Sequence, residues 1–392
     1  MSASDPFAPI AAWLVEQQPA MIALLREIVS IDSGSYNKPG IDAVGAAIRR
    51  FLEGNGIAVE TLPQKKHGDC LRALVPAGGP GASNRKIVLM GHRDTVYPDG
   101  EVARRPFTLE DGMARGPGVA DMKAGLVMNS FVLAAFARFG SAPGPLVGLF
   151  TGDEEIGSPE GRAVIEAEAR GARAVFNSEP GRLSGNVVSG RKGGVFMVMR
   201  ITGKAAHSGG SFTEGISAIE ELARKIVAIH ALTDIPRGIT LNVGLVSGGQ
   251  SVNTVAPWAE GRIDLRYVAP EDREKVMAEI KAIVARSFVP GTSATLEIRG
   301  EFLPLTQDDA AKRLLGVYAA AAEASGFATS GEFSGGCADS GFTAAVGAPT
   351  ICAVGPVGGK AHSPEEFLKI DSLVPRATAC ARAILGLAAA GL

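Results

Sequence analysis

The fold is decided by the stretch Lys86-Ile-Val-Leu-Met-Gly-His-Arg-Asp-Thr-Val-Tyr97. Its first five residues are mostly apolar and bounded by loop signals, which predicts a short buried strand. The strand is followed at once by His92 and Asp94. Side chains two residues apart on extended backbone point to the same side, so Asp94 can reach the His92 ring. A metal-bound imidazole usually donates its second N–H to a nearby oxygen, so the pair indicates a metal ligand and its orienting partner.

A His-x-Asp motif alone is more often a surface hydrogen bond, so the prediction depends on further ligands at other strand ends. Strands alternate with helices along much of the chain, which predicts a mostly parallel sheet with helices on both faces. The predicted strands are 57–62, 71–76, 86–91, 145–151, 173–177 and 349–354. The predicted helices are 8–31, 41–54, 122–139, 159–170, 308–325 and 371–389.

The order of predicted strands and helices changes in the middle of the chain. Its predicted order is strand, helix, two strands, helix and strand, which is typical of a ferredoxin-like α+β domain. The expected organisation is therefore a catalytic domain in two parts, 1–190 and 304–392, with an inserted domain at 191–303. A length of 392 residues also favours two domains over one core.

Composition limits the class of protein. Hydrophobic residues make up 46% and charged residues 20%, as in soluble α/β proteins. A net charge of −2 gives no electrostatic footprint for nucleic acid or a membrane surface. The four cysteines have no metal-site or disulfide spacing, and the N-terminus lacks a signal-peptide pattern. We therefore expect a cytoplasmic protein with reduced thiols.

Acidic residues and one more histidine follow the predicted strands. Two imidazoles with carboxylates form a nitrogen and oxygen ligand set that suits Zn²⁺, Mn²⁺ or Co²⁺. Five such ligands exceed the shell of one tetrahedral ion and fit two ions held by a bridging carboxylate. The candidates are His92, Asp121, Glu154 or Glu155, Glu179 and His362.

The adjacent residues Glu154 and Glu155 are predicted to have different functions. Two like charges at a buried strand end are costly unless they act separately. One can bind a metal while the other takes a proton from water. Each acid considered alone is more easily explained as part of a solvated surface loop than as a site residue. That explanation would have to hold for every one of these acids at once, which is implausible.

Three motifs carry a resemblance to a known family. They are Gly91-His-Arg-Asp-Thr-Val96, Gly116-Pro-Gly-Val-Ala-Asp-Met-Lys-Ala-Gly125 and Thr151-Gly-Asp-Glu-Glu-Ile-Gly157. With these motifs the chain resembles the co-catalytic di-zinc peptidases and deacylases typified by glutamate carboxypeptidase of the carboxypeptidase G type, acetylornithine deacetylase and succinyl-diaminopimelate desuccinylase. The resemblance covers nearly the whole length and implies a three-layer zinc-peptidase-like catalytic domain with an inserted lid and dimerisation domain.

The resemblance also implies roles for the ligand candidates. His92 and Glu179 would bind two different zinc ions and Asp121 would bridge them. Glu155 would pair with one zinc, and His362 would complete the other. Glu154 would be the general base and proton shuttle, with Asp94 as the partner of His92. A cis peptide is implied between Asp121 and Met122.

For the inserted domain, the resemblance implies a homodimer in which His207 reaches the neighbouring subunit's site and stabilises an oxyanion. Asn253 and Arg266 match positions that bind the substrate carboxylate, and Gly335 and Gly336 match backbone that lines the substrate.

The implied activity is zinc-dependent hydrolysis of the amide bond of N-acyl amino acids or dipeptides, which releases a C-terminal amino acid. Positions that would hold a glutamate side chain correspond to Val187 and Glu301, which cannot bind a carboxylate. This argues against release of glutamate and leaves a neutral or basic leaving amino acid open. Arg191, Lys192 or Arg299 could substitute from shifted positions. Two alternatives stay open, an N-carbamoyl or ureido amidohydrolase and a non-catalytic two-domain ligand-binding protein.

Overall fold

The computed structural model describes residues 7–78 and 82–392, and its elements are numbered here in chain order. The helices are α1 (Ala8–Glu16), α2 (Gln18–Val29), α3 (Lys38–Gly54), α4 (Glu101–Arg104), α5 (Ala124–Phe139), α6 (Gly161–Ala169), α7 (Ala218–His230), α8 (Pro270–Ala285), α9 (Asp309–Glu323), α10 (Ser340–Ala345) and α11 (Leu373–Gly386). The strands are β1 (Ala58–Leu62), β2 (Cys70–Val75), β3 (Ile87–His92), β4 (Thr108–Glu110), β5 (Met113–Arg115), β6 (Leu146–Thr151), β7 (Ala174–Asn177), β8 (Val187–Arg191), β9 (Gly193–Thr202), β10 (Thr240–Gly248), β11 (Trp258–Tyr267), β12 (Ser293–Phe302), β13 (Gly331–Ser334), β14 (Thr350–Cys352), β15 (Gly358–Gly359) and β16 (Phe367–Lys369).

The larger unit is built on an eight-stranded sheet in the order β1-β2-β6-β3-β7-β14-β8-β13. Its four central strands, β6, β3, β7 and β14, run parallel, whereas β1, β2 and β8 pair antiparallel to their neighbours. The α/β fold class is confirmed. The sheet is mixed, with its parallel part confined to the centre.

The first four residues of β3, Ile87 to Met90, are all apolar because both faces of the sheet are covered. Ile87 and Leu89 belong to the core cluster that includes helix α5, and Val88 and Met90 are also buried. In register, His92 lies beside Thr151 of β6, and Met90 lies beside Asn177 of β7. The residues that follow β3, β6 and β7 therefore emerge at one edge of the sheet.

Helical periodicity at 8–31 predicted one interrupted helix, and the structure has two. Helix α1 ends at Glu16, and α2 begins at Gln18 with Pro19 in its first turn. Proline is tolerated there because the first helical N–H groups have no partner inside the helix. The segment 98–119, predicted as a loop, contains α4 and the short strands β4 and β5. These two strands form a small sheet with β15 and β16 from the distant C-terminal part, a pairing that no local pattern encodes.

The smaller unit comprises residues 191–304 together with 335–338. Its strands form an antiparallel sheet in the order β10-β11-β9-β12, and helices α7 and α8 pack on it. This is the ferredoxin-like topology expected for the insertion. Residues 335–338 group with this unit, whereas the sequence assigned them to the second part of the catalytic domain.

By length and composition, two helical stretches could cross a membrane, Val119–Phe139 and Ile370–Ala390. In the first, 94% of the most apolar window is buried inside the protein, as in the core helix of a folded domain.

Candidate active site

Six of the predicted site residues come together at the edge of the larger unit's sheet. Within the described residues, ligand atoms lie no more than 4.8 Å apart in each of three groups. The groups are His92 with Asp121 and Glu179, His92 with Glu154 and Glu155, and Asp121 with Glu155 and His362. Residues from five separate stretches of the chain therefore converge on one place.

Asp121 lies at the centre of this arrangement. Its Oδ1 is 3.4 Å from Nε2 of His92, and its Oδ2 is 3.4 Å from Nε2 of His362. The other close pairs are His92 Nε2 with Glu179 Oε1 at 3.7 Å and His362 Nε2 with Glu155 Oε2 at 3.2 Å. Two ligands of a tetrahedral ion, each about 2.1 Å from it, lie about 3.4 Å apart. These spacings fit two ions that share the Asp121 carboxylate.

Unsatisfied polar atoms support the same fit. Nε2 of His92 and Oε1 of Glu155 are buried and have no hydrogen-bond partner among the described residues. A buried polar atom without a partner is costly and needs an explanation such as an ion. The donor set of imidazole nitrogens and carboxylate oxygens is the one that zinc and similar divalent cations prefer.

The electrostatics of the cluster also favour cations. Burial alone would raise the pKa of Asp121, but His362 and His92 outweigh it and hold that pKa below its usual range. Burial and the Asp121 charge raise the pKa of Glu155 to about 7. Burial, Glu179 and other carboxylates raise the pKa of Glu154 above its ordinary value, although His92 opposes them. Like charges are crowded here, and bound cations would relieve their repulsion.

Asp94 connects the His92 ring to the acidic turn. Its Oδ1 lies 3.4 Å from Nδ1 of His92, but the nearer acceptor of that nitrogen is the Asp94 backbone carbonyl, at 3.0 Å. The carboxylate accepts hydrogen bonds from the backbone N–H groups of Glu154 and Glu155, at 3.1 and 3.0 Å, and from the Ser35 hydroxyl, at 2.7 Å. Asp94 therefore holds both the imidazole and the Glu154-Glu155 backbone.

The bridging position has a supporting residue that the sequence analysis did not single out. Glu366 is fully buried, and its Oε1 accepts hydrogen bonds from the N–H groups of Ala120 and Asp121, at 2.9 and 3.0 Å. Its Oε2 accepts from Gly118 N–H at 3.1 Å and from the Tyr97 hydroxyl at 2.7 Å. The peptide between Asp121 and Met122 in this loop is cis. Glu366 lies four residues after the predicted ligand His362, and this closeness in sequence was the feature that could have identified Glu366 as part of the site.

Asp339 is a further buried acid near the cluster. It accepts a hydrogen bond from the Ser158 hydroxyl, and burial raises its pKa to about 8. Its charge contributes to the raised pKa of Glu154. Nothing in the Gly-rich sequence at 334–341 indicated that Asp339 would influence the pKa of Glu154.

Two of the predicted residues of the smaller unit, His207 and Asn253, lie on adjacent loops of that unit. His207 is exposed, and its Nδ1 accepts hydrogen bonds from the N–H groups of Gly209 and Gly210, at 3.1 and 3.0 Å. Because Nδ1 is an acceptor in both bonds, a neutral ring carries its proton on Nε2. Asn253 is exposed on the neighbouring loop, where its backbone carbonyl accepts from Ser208 N–H at 3.0 Å. The structure therefore brings the His207 and Asn253 loops together within this unit.

Arg266 lies on the face of β11 opposite the helices. Its Nε and one terminal nitrogen donate to the two oxygens of Asp264, at 2.7 and 3.2 Å. The other terminal nitrogen lies 2.8 Å from Sγ of Cys337. Arg191 donates to the carbonyls of Gly336 and Cys337, at 3.2 Å each, and so fixes the 335–338 loop on this unit.

Neither of the two positions that would hold a glutamate side chain carries a basic residue. Val187 is fully buried in β8, and Glu301 pairs with Arg273. Arg299 is paired with Glu297 at 3.0 Å. Lys192 is partly buried.

Comparisons with known proteins agree with this geometry. The profile of Peptidase family M20/M25/M40 matches residues 88–386. Carboxypeptidase G2 of Pseudomonas sp. (strain RS-16) is 28% identical over 378 residues, which is 95% of this chain and 91% of that protein. Acetylornithine deacetylase of Myxococcus xanthus is 28% identical over 281 residues, 68% of this chain and 71% of that protein. An M20 family metallo-carboxypeptidase from Sulfolobus solfataricus has a similar fold, with a TM-score of 0.76, 19% identity and coverage of 93% of this chain and 98% of that one.

Proposed function

The chain belongs to Peptidase family M20/M25/M40, and from that premise we propose how its site works and which bond it cleaves. It is a hydrolase of the amide bonds of acyl amino acids or dipeptides. We propose a metal for this site, roles for its residues, a class of leaving group and a mode of assembly. The observation that best supports these proposals is the Asp121 carboxylate, whose two oxygens face two different imidazoles at equal distances.

The residues present fit two zinc ions in each chain. The resemblance implied that His92 and Glu179 bind different ions, but the 3.7 Å between His92 Nε2 and Glu179 Oε1 favours one ion for both. His92 and Glu179 would therefore hold one ion, Glu155 and His362 the other, and Asp121 both. Co²⁺ or Mn²⁺ would be accepted by the same ligands. When bound, such ions supply a water molecule of lowered pKa and polarise the substrate carbonyl.

Glu154 is the proposed proton shuttle. It is buried beside the ligand cluster, with its Oε2 at 3.9 Å from Nε2 of His92, which is farther than Asp121 or Glu179. A carboxyl group with a raised pKa exchanges protons readily near neutral pH. Glu154 would take a proton from the attacking water and return it to the amide nitrogen as the C–N bond breaks. The products are a carboxylate and a free amine.

We propose that Arg266 binds the α-carboxylate of the leaving amino acid. Asp264 occupies the side of its guanidinium that carries Nε, and this leaves donors on the terminal nitrogens for a second carboxylate. Asn253, Gly335 and Gly336 would line the same amino acid. Burial of Val187 and the Glu301–Arg273 pair both favour a neutral or basic leaving side chain over glutamate.

The protein is proposed to be a homodimer through its smaller unit, with His207 acting in the partner's site. The exposed Nε2–H of His207 is a suitable donor for an oxyanion. Strand β10 is an edge strand with exposed Leu245 and Val246, and an exposed apolar edge is a ready pairing surface. In the described part of the chain, none of the four cysteines is in a disulfide, which supports a cytoplasmic location.

A substrate panel tests the proposed function. Purified protein is treated with a chelator, reloaded with Zn²⁺ and assayed on N-acetyl and N-carbamoyl derivatives of alanine, leucine, lysine and glutamate, and on dipeptides. We expect no activity without metal, and with metal faster release of alanine, leucine or lysine than of glutamate. Metal analysis should find two zinc ions per chain. Preference for the N-carbamoyl series would favour the amidohydrolase alternative, and hydrolysis that survives chelation would contradict the metal mechanism.

A further inference from the structure

A cavity of about 440 Å³ lies in the larger unit beside Glu155. Tyr36, Val96 and Ile156 contribute apolar surface to it, and Asn37 and Asp99 line it as well. All of these residues belong to the larger unit. None of the roles assigned above accounts for this cavity, although it directly adjoins one of the proposed metal ligands.

The walls of the cavity are fixed to residues that support the metal site. The N–H of Ser35 donates to the Thr95 carbonyl at 3.2 Å, and the N–H of Thr95 donates to the Ser33 carbonyl at 2.9 Å. The Ser35 hydroxyl bonds to Asp94, and the Ser35 carbonyl accepts from Nδ1 of buried His67 at 3.2 Å. Tyr36 therefore follows directly after a residue that is held on three sides.

Two of the residues that line the cavity are both exposed and largely apolar. The Tyr36 side chain is 82% exposed and Val96 is 42% exposed. Exposed aromatic and aliphatic groups beside a reactive centre are typical of a ligand site, since an apolar group that covers them removes them from water.

Charge decides which part of a substrate the cavity fits. The charged residues that line it are Asp99 and Glu155, and in the described part of the chain no lysine, arginine or histidine lines it. The Asn37 amide donates a hydrogen bond to the Asp99 carboxylate at 2.6 Å. The leaving amino acid carries a carboxylate next to the scissile nitrogen and is poorly suited to an acidic cavity. The other side of the amide, the acyl group, carries no obligatory charge.

We propose that this cavity binds the acyl group of the substrate and selects uncharged aromatic or aliphatic acyl groups over acyl groups that carry a carboxylate. Tyr36 and Val96 are the specificity-determining residues, and Asp99 repels anionic acyl groups. This inference rests on the proposed function, because it assumes that an acyl amino acid is the substrate.

The test compares N-phenylacetyl, N-acetyl and N-succinyl derivatives of one leaving amino acid with the zinc-loaded protein. We expect kcat/KM to fall in that order. Tyr36→Ala should lower kcat/KM for the phenylacetyl substrate by about tenfold and leave the acetyl substrate nearly unchanged, because only the larger group reaches the ring. Tyr36→Phe, which keeps the ring, should retain the preference.

A charge substitution gives an independent arm of the test. Val96→Lys places an ammonium group in the cavity and should raise the succinyl-to-acetyl ratio of kcat/KM by about tenfold. Val15→Lys is the matched control, since Val15 is exposed on α1 and does not line the cavity. Calorimetric titration with phenylacetate and succinate, the acyl products, should reproduce the same order of affinity without turnover.

The outcomes separate the two hypotheses. Hydrolysis with a preference for the succinyl substrate, or a profile that Tyr36→Ala and Val96→Lys leave unchanged, overturns the cavity assignment and leaves the proposed function standing. Failure of the zinc-loaded protein to hydrolyse any of the amides overturns the proposed function and the acyl-site inference with it.

Discussion

The two units use their polar residues in opposite ways. In the larger unit, His92, Asp94 and Glu154 are buried and held by bonds from neighbouring segments. In the smaller unit, His207 and Asn253 are exposed, and their hydrogen bonds lie within and between two adjacent loops of that unit. The larger unit builds a complete ligand cluster from its own backbone. The smaller unit has exposed polar side chains, and the role proposed for them requires another component.

The largest expected effect comes from Glu154→Gln. This variant keeps the size of the side chain but cannot take a proton, so kcat should fall by about a thousandfold. Metal content should stay at the wild-type value, because Glu154 is not one of the proposed ligands. Steady-state kinetics and metal analysis on the same sample provide the check. Wild-type turnover in this variant would rule out Glu154 as the shuttle.

His207 tests whether the smaller unit acts in the partner's site. His207→Ala should lower kcat by about a hundredfold with unchanged metal content, because one oxyanion donor is lost. Co-expression with Glu154→Gln should restore activity, since a mixed dimer has one site with both Glu154 and the partner's His207. Random pairing predicts recovery of about a quarter of wild-type activity. No recovery in purified mixed dimers would place His207 outside the partner's site.

The variant Glu366→Gln tests whether Glu366 positions Asp121 for metal binding in the larger unit. Glutamine has one acceptor oxygen, and its amide N–H₂ would face the backbone donors around Asp121. We expect metal affinity to fall by about ten- to a hundredfold, the usual cost of losing a group that orients a ligand. Competition with a coloured chelator measures the affinity. Glu365→Gln, an exposed neighbour, should bind metal as the wild type does, and equal affinities in both variants would contradict the positioning role.

The smallest effect is expected for Ser35→Ala. Asp94 loses one of three hydrogen bonds but keeps both backbone donors, so we expect a loss of about 1 kcal/mol in the free energy of unfolding. Urea denaturation of the metal-free protein measures it. Ser30→Ala removes a hydroxyl that bonds only within its own helix and should change stability less. A Ser35→Ala protein as stable as the wild type would show that this bond adds nothing to the site's rigidity.

The sequence predicted much of the fold because periodicity and strand order are local properties. The buried strand β3, the alternation of strands and helices, and the inserted ferredoxin-like unit all follow from patterns within short windows. The small second sheet could not be predicted, since β5 pairs with β16, about 250 residues away, and β4 joins the sheet through β5. Four of the ligand candidates, His92, Asp121, Glu154 and Glu155, were recognisable because they lie in the three sequence motifs.

The supporting residues were harder to find for a related reason. Ser35 bonds to Asp94, which is 59 residues away, and Glu366 bonds to the Asp121 backbone, 245 residues away. A serine or a glutamate in a loop has no distinguishing signal until its partner is known. The Tyr36 cavity was equally hidden, because it forms only where the segment after α2 runs alongside the segment after β3.

By itself, the sequence determined which residues could carry the chemistry and which elements would place them at strand ends. Only the tertiary structure decided that Asp121 faces two imidazoles at once, that Glu366 holds its backbone, and that Tyr36 and Val96 stand beside Glu155. The physical reason is that metal and substrate sites depend on distances of a few ångströms between segments far apart in the chain. Those distances are set by the packing of the whole domain and not by local propensity.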